Sequence, residues 1–336
     1  MFLAAFTAAA VYIILISVRR NYPVPAMEQQ DKQFLTLPDG TKLAYYFIAA
    51  QAVKKPYPVI FLQGGPGGFI SKRNIELLRP LAADGFDVYL YDQIGGGASS
   101  RLDDINQYTP ERHVQDLLAM VQQTGAGKAI LMGQSWGCML AALFTARYPD
   151  KVDRIIFASP GPIPPLRKAS ARVKAPDSLQ LRMPLYSNAQ AVAAASNART
   201  RFTAFWARNF GRKWMPDEEA DNFQTYMTMG TNKSVVCDTA LAPAVKSGGG
   251  YYVQLMTMQH LQQVSDPRPA LKQCPIPVLV LKGQCDNQPW AYTAEYLECF
   301  HNHQFLYIRD AGHSISIEQK AAFLQGVRSF LLYGVQ

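Results

Sequence analysis

Gly133-Gln134-Ser135-Trp136-Gly137 sets a serine between two glycines. The apolar run Ala129-Ile130-Leu131-Met132 precedes it and Cys138 to Phe144 follow. A buried strand, a sharp turn and a buried helix form the setting in which Gly-x-Ser-x-Gly presents a nucleophile. The flanking glycines are expected because a Cβ at either place would strike the neighbouring strand or helix. A serine hydroxyl is a weak nucleophile until a base takes its proton, so the chain must supply a histidine, a carboxylate and donors for an oxyanion. His313 follows Asp310-Ala311-Gly312 after one apolar run, and Asp286 follows Gly283-Gln284-Cys285 after another. His113, His260, His301 and His303 lack a Gly-His setting behind a strand. His313 is the expected general base and acid. Asp286 is the carboxylate that fixes its tautomer and stabilises the imidazolium, with Asp310 as nearest rival.

The oxyanion donors are expected from Gln63-Gly64-Gly65-Pro66-Gly67-Gly68, straight after the apolar run Val59-Ile60-Phe61-Leu62. Backbone N–H groups in such a loop approach a ligand closely, so the N–H groups of Gly65 and Trp136 are the expected pair. Gln63, Gly64 and Asp92 would shape the site around them. A phosphate loop is the competing reading, and it lacks the Gly-Lys-Ser/Thr ending.

The elements that must position these groups alternate along the chain. Phe34 to Leu37 and Leu43 to Ile48 flank Pro38-Asp39-Gly40 and read as a hairpin. A helix is expected over Lys72 to Ala83, and a strand over Phe86 to Tyr91. A helix capped by Thr109, with Pro110 in its first turn, runs to about Thr124. Strands are expected over Lys128 to Met132, Val152 to Ala158, Pro277 to Lys282 and Gln304 to Ile308. Helices between buried strands imply a mainly parallel sheet. The alternation stops after Ser159-Pro160 and resumes after Pro267 and Pro269, so residues 161–268 read as an inserted helical lid. Its aromatic residues, Phe202, Phe205, Trp206, Phe210 and Trp214, read mostly as an internal core.

The first residues read differently. Phe2 to Val18 carries no charge and Arg19-Arg20 follow. As a helix it would be about 26 Å long, a little short of the ~30 Å hydrocarbon core. With no basic residue before it, it reads as an uncleaved single-span membrane anchor rather than a signal peptide. The arginine pair slightly favours a cytoplasmic catalytic domain. The expected organisation is anchor 1–20, linker 21–32, catalytic core 33–160 and 269–336, and lid 161–268. The chain of 336 residues carries a net charge of +8 and is 49% hydrophobic, enough for a large core without compositional disorder. Ten Lys or Arg stand against one acid, Asp177, between Leu166 and Lys213. That excess reads as a solvated basic face, or as attraction to an anionic membrane or acidic ligand; no nucleic-acid motif accompanies it. The five cysteines have no metal spacing, and no metal or organic cofactor is expected. Cys138 and Cys285 read as small buried residues. A disulfide between Cys274 and Cys299 is sterically allowed.

Gly-Gly-Pro-Gly at 64–67, Asp-Gln-x-Gly-x-Gly-x-Ser at 92–99 and Gly-Gln-Ser-Trp-Gly at 133–137 resemble the proline iminopeptidase branch of the α/β-hydrolases. The resemblance covers roughly residues 33–160 and 270–333. The chain order Ser135, Asp286, His313 suits that fold. It implies a mostly parallel sheet with helices on both faces, a serine nucleophile, an acyl-enzyme and removal of an N-terminal residue from peptides. This chain has Gln63 where the family usually has His, and Ile94 where it has Arg. The family's lid acids, which hold the substrate amine, have no assured match; Asp217, Glu218, Glu219 and Asp221 are the available ones. The alternative is a membrane-associated esterase of a hydrophobic acyl substrate. Epoxide hydrolase or dehalogenase chemistry needs an aspartate at the elbow. A catalytically dead binding protein is the reading from another class. Oligomeric state is left open.

Overall fold

The computed structural model describes residues 2–167 and 173–335. The apolar runs become eight strands: β1 (Gln33–Thr36), β2 (Lys42–Ile48), β3 (Val59–Leu62), β4 (Val88–Tyr91), β5 (Ala129–Gln134), β6 (Val152–Ala158), β7 (Val278–Cys285) and β8 (His303–Gly312). They form one sheet in the order β1-β2-β4-β3-β5-β6-β7-β8. β1 and β2 pair antiparallel, as does β2 with β4; every other neighbour is parallel. All four residues of β3 and all eight of β7 are buried, which is why Val59 to Leu62 and Val278 to Leu281 read as unbroken apolar runs. Alternate side chains feed two cores. Ile60, Leu62 and Leu131 enter one, and Val59, Phe61, Ile130 and Met132 the other.

The helices are α1 (Phe2–Ser17), α2 (Lys72–Ala83), α3 (Pro110–Gln123), α4 (Trp136–Arg147), α5 (Asn188–Ala195), α6 (Ala198–Phe210), α7 (Asp217–Thr231), α8 (Tyr251–His260), α9 (Arg268–Lys272), α10 (Trp290–Cys299), α11 (Ile315–Glu318) and α12 (Lys320–Tyr333). Ser71 caps α2 in a capping box with Asn74, and the Thr109 hydroxyl accepts the Arg112 N–H at the start of α3. Ten residues of α4 are buried, so it is apolar all round and lies within the core. α5 to α8 lie between β6 and β7 and make up the cap.

The N-terminal helix corrects the anchor reading. Among the described residues no helix is long and apolar enough to cross a membrane. α1 has 16 residues, about 24 Å at the helical rise against ~30 Å of hydrocarbon. It lies instead against the cap. Tyr12 meets Phe202 at a centroid distance of 6.5 Å, and Ile16 is buried. The last carbonyls of α1 are satisfied from α6 and the segment after it: Arg199 donates to the Ile16 and Ser17 oxygens, and Trp214 Nε1–H donates to the Ile16 oxygen at 2.9 Å. Arg19-Arg20 is no stop signal here. The Arg20 N–H donates to Glu219, which also holds Arg199. With the spanning helix goes the single-pass membrane assignment, and with it the choice of a cytoplasmic side. Residues 21–32 are packed: Tyr22 lies between Phe223 and Tyr226, and Lys32 reaches Asp92 at 2.7 Å.

Within the cap, Trp206 meets Phe210 at 4.4 Å and Phe202 meets Trp214 at 4.7 Å, an aromatic cluster whose Phe205 and Phe210 stay exposed. The basic stretch is partly neutralised by acids that lie outside it: Arg167 pairs with Asp266, Arg182 with Asp310, Arg199 with Glu219 and Lys213 with Asp217. Lys168 and Arg172 lie outside the described residues.

Candidate active site

The serine turn is built as its glycines demand. Ser135 sits between β5 and α4 at φ 56° and ψ −115°, a conformation a non-glycine residue adopts only when its surroundings enforce it. A Cβ on Gly137 would lie 1.9 Å from the Leu62 carbonyl oxygen, and one on Gly133 would lie 2.6 Å from the backbone of Gly137 and Cys138. α4 therefore closes to backbone contact with β3 and with β5 only because both sites are glycine.

β7 and β8 end side by side and bring Asp286 and His313 together. His313 Nδ1 lies 2.8 Å from Asp286 Oδ1, and both side chains are buried. Asp286 also accepts Lys282 Nζ at 3.0 Å and the Gln288 N–H at 3.0 Å. Burial alone would raise its carboxyl, yet the His313 and Lys282 partners bring it down to about 2. An ionised carboxylate accepts only, so Nδ1 carries the proton and Nε2 is left with its lone pair. His313 and Ser135 line the same cavity of about 690 Å³. No hydrogen bond joins their side chains among the described residues, as is common before substrate draws the two together. Asp310 does not reach His313. It is exposed and pairs with Arg182.

The glycine loop after β3 is held by Gln93. Its Oε1 accepts the Gly67 N–H and Trp136 Nε1–H, both at 3.0 Å, and its Nε2 donates to the Gln63 carbonyl at 2.7 Å. Gly64, Gly65 and Gln63 line the cavity with Ser135. The Gly65 and Trp136 N–H groups have no acceptor among the described residues. The Trp136 N–H is one of the orphan donors at the start of α4. Asp92, fully buried, accepts the N–H groups of Ile70 and Ala98 together with Lys32, so it organises the floor of this loop.

Four residues here escaped the sequence reading. Lys282 had a signal, since a lone charge in a fully buried strand needs a partner. Gln93 stood next to Asp92 without a visible task. Cys237 and Glu318 had none. Cys237 forms a disulfide with Cys285, with Cα atoms 5.2 Å apart. Cys285, read as a small buried residue, is thus bonded, while Cys274 and Cys299 are free and buried. The sterically allowed pair consists of buried side chains; the actual one joins the cap to the end of β7, a contact 48 residues apart that spacing does not reveal. Beside it the Glu318 carboxylate accepts the N–H groups of Cys237, Asp238 and Gly312 at 2.7–3.0 Å. Ser314 N–H donates to Val235. The cap segment 235–238 is thereby fastened beside both Asp286 and His313.

The model of a family described as alpha/beta hydrolase fold matches residues 57–320. A proline iminopeptidase of Lactobacillus helveticus is 40% identical over 118 residues, 34% of this chain and 39% of that protein. One from Clostridium botulinum is 30% identical over 116 residues. The match to these curated relatives thus spans about two fifths of their length. It bears out the resemblance to that branch read from the glycine and serine motifs. Among solved structures, a proline iminopeptidase of Mycobacterium smegmatis superposes with TM-score 0.59 at 19% identity, covering 90% of this chain and 97% of that one. An esterase from Thermogutta terrifontis gives 0.58 at 20% identity, covering 91% and 100%. At such identities the two share the fold.

Proposed function

Because the chain belongs to the alpha/beta hydrolase fold family, we propose that it is a serine hydrolase that splits an amide or ester through an acyl-enzyme on Ser135. The supporting observation is His313, held 2.8 Å from the buried Asp286 and lining one cavity with a serine at positive φ. His313 Nε2 takes the hydroxyl proton as Oγ attacks the carbonyl carbon. The N–H groups of Gly65 and Trp136 receive the oxyanion, and His313 returns the proton to the leaving nitrogen or oxygen. Water, deprotonated by the same nitrogen, then frees the acid and restores Ser135.

Two substrate classes follow. The names of the curated relatives favour a peptide with N-terminal proline or a small residue. The cavity chemistry favours an ester or amide without a free amine, because no carboxylate lines it among the described residues. Hydrolysis of a proline arylamide and of a short-chain aryl ester, by wild type and Ser135→Ala, tests the reading. Turnover of either is expected to fall at least about 10³-fold in the variant with its circular dichroism unchanged. Undiminished turnover in Ser135→Ala would sink the nucleophile.

A further inference from the structure

The cavity around Ser135 is lined by carboxamides, hydroxyls, glycines and apolar side chains. Among the described residues no Asp or Glu lines it, and apart from His313 the one ionisable side chain that does is Arg73. Arg73 is exposed at the start of α2 and makes no ion pair or hydrogen bond among the described residues. The cap acids are committed elsewhere. Glu219 holds Arg199, Asp217 holds Lys213, and Asp221 holds Arg101 at 2.9 Å and the Tyr251 N–H. Glu218 is exposed and outside the cavity.

This arrangement has a sign. An ammonium entering the cavity gives up hydration, meets no carboxylate to replace it and faces a guanidinium of like charge. A carboxylate entering the same space meets a planar fork of donors that nothing else occupies. The chain's net charge of +8 adds to the same bias. Gln63 and Gln134, whose side chains bond no other described residue, remain for the neutral polar groups of a substrate.

We infer that the cavity selects acyl substrates carrying a carboxylate over those carrying a free ammonium, and that Arg73 sets the difference. The inference rests on Ser135 being the nucleophile. Between the two substrate classes above, it favours the ester or N-blocked amide.

The test uses three fluorophosphonates with one short tail, ending in a carboxylate, a methyl or an ammonium group. The rate constant for labelling Ser135 is measured for each, in wild type and Arg73→Gln, at low and high salt. The carboxylate probe is expected to react roughly tenfold faster than the ammonium probe. That ratio should shrink towards one in Arg73→Gln and in about 0.5 M salt. An ammonium probe reacting as fast as the carboxylate probe, or a ratio unchanged in Arg73→Gln, overturns the inference and leaves the nucleophile standing. Failure of all three probes to label the folded protein removes the nucleophile, and the inference with it.

Discussion

Asp286 is a buried carboxylate between the Lys282 ammonium and the His313 ring, and the balance among the three sets how the site responds to acid. His313 orients on one oxygen and Lys282 neutralises the other. With its carboxyl lowered from 3.8 to about 2, Asp286 stays ionised in the folded chain where it would be protonated in the unfolded one. Its contribution to stability is therefore whole above about pH 4 and is lost as pH falls towards 2. Lys282→Met removes one counter-charge, so the carboxyl rises and the loss begins at higher pH. Acid unfolding followed by circular dichroism should show the midpoint move upward. The same substitution loosens the carboxylate that aligns His313, so kcat for whichever ester or arylamide is turned over should fall about tenfold or more, with KM little changed. An unmoved acid midpoint would deny Lys282 this role.

Among elements, the strand–turn–helix unit of β5 and α4 depends on the absence of a single atom. Adding a Cβ at Gly137 places it 1.9 Å from the Leu62 carbonyl oxygen, against a backbone that cannot give way without opening β3 from α4. Gly137→Ala is expected to cost more than about 4 kcal/mol and to abolish soluble expression or cooperative unfolding. Gly127 is the control. Nothing lies within 4 Å of a Cβ built there, and its φ lies outside the left-handed region. Gly127→Ala should change stability by no more than about 0.5 kcal/mol in urea unfolding.

For the whole molecule, the decisive contacts join the cap to the sheet. The Cys237–Cys285 bridge closes a loop of 48 residues and lands beside Asp286. Replacing both cysteines by serine should lower stability by about 2 to 4 kcal/mol, read as a lower urea midpoint. It should also lower kcat, because the cap segment then loses its covalent tie and keeps only the hydrogen bonds of Glu318, Ser314 and Asn287 among the described residues. A double variant with wild-type midpoint would mean the bridge adds nothing to the fold.

What could be read without coordinates was what is encoded locally. The strand runs, the Thr109 cap and the glycine-flanked serine each state their geometry within a few residues. Asp286 and His313 were visible because each follows a strand end, where a parallel sheet gathers its loops. A sixteen-residue uncharged and mostly apolar helix is as suited to a protein surface as to a lipid core. The choice was made by Phe202, Arg199 and Trp214, which stand about 190 positions away and supply the ring face and the donors that receive α1. The Cys237–Cys285 bridge and the Glu318 clasp likewise join segments whose meeting depends on how the cap folds back over the sheet. Periodicity acts along the chain and marks which face of an element is apolar; which faces meet is settled by the packing of the whole. The elements and the candidate reactive residues therefore belonged to the sequence, whereas the packing of α1, the fastening of the cap and the charge of the cavity were decided only in three dimensions.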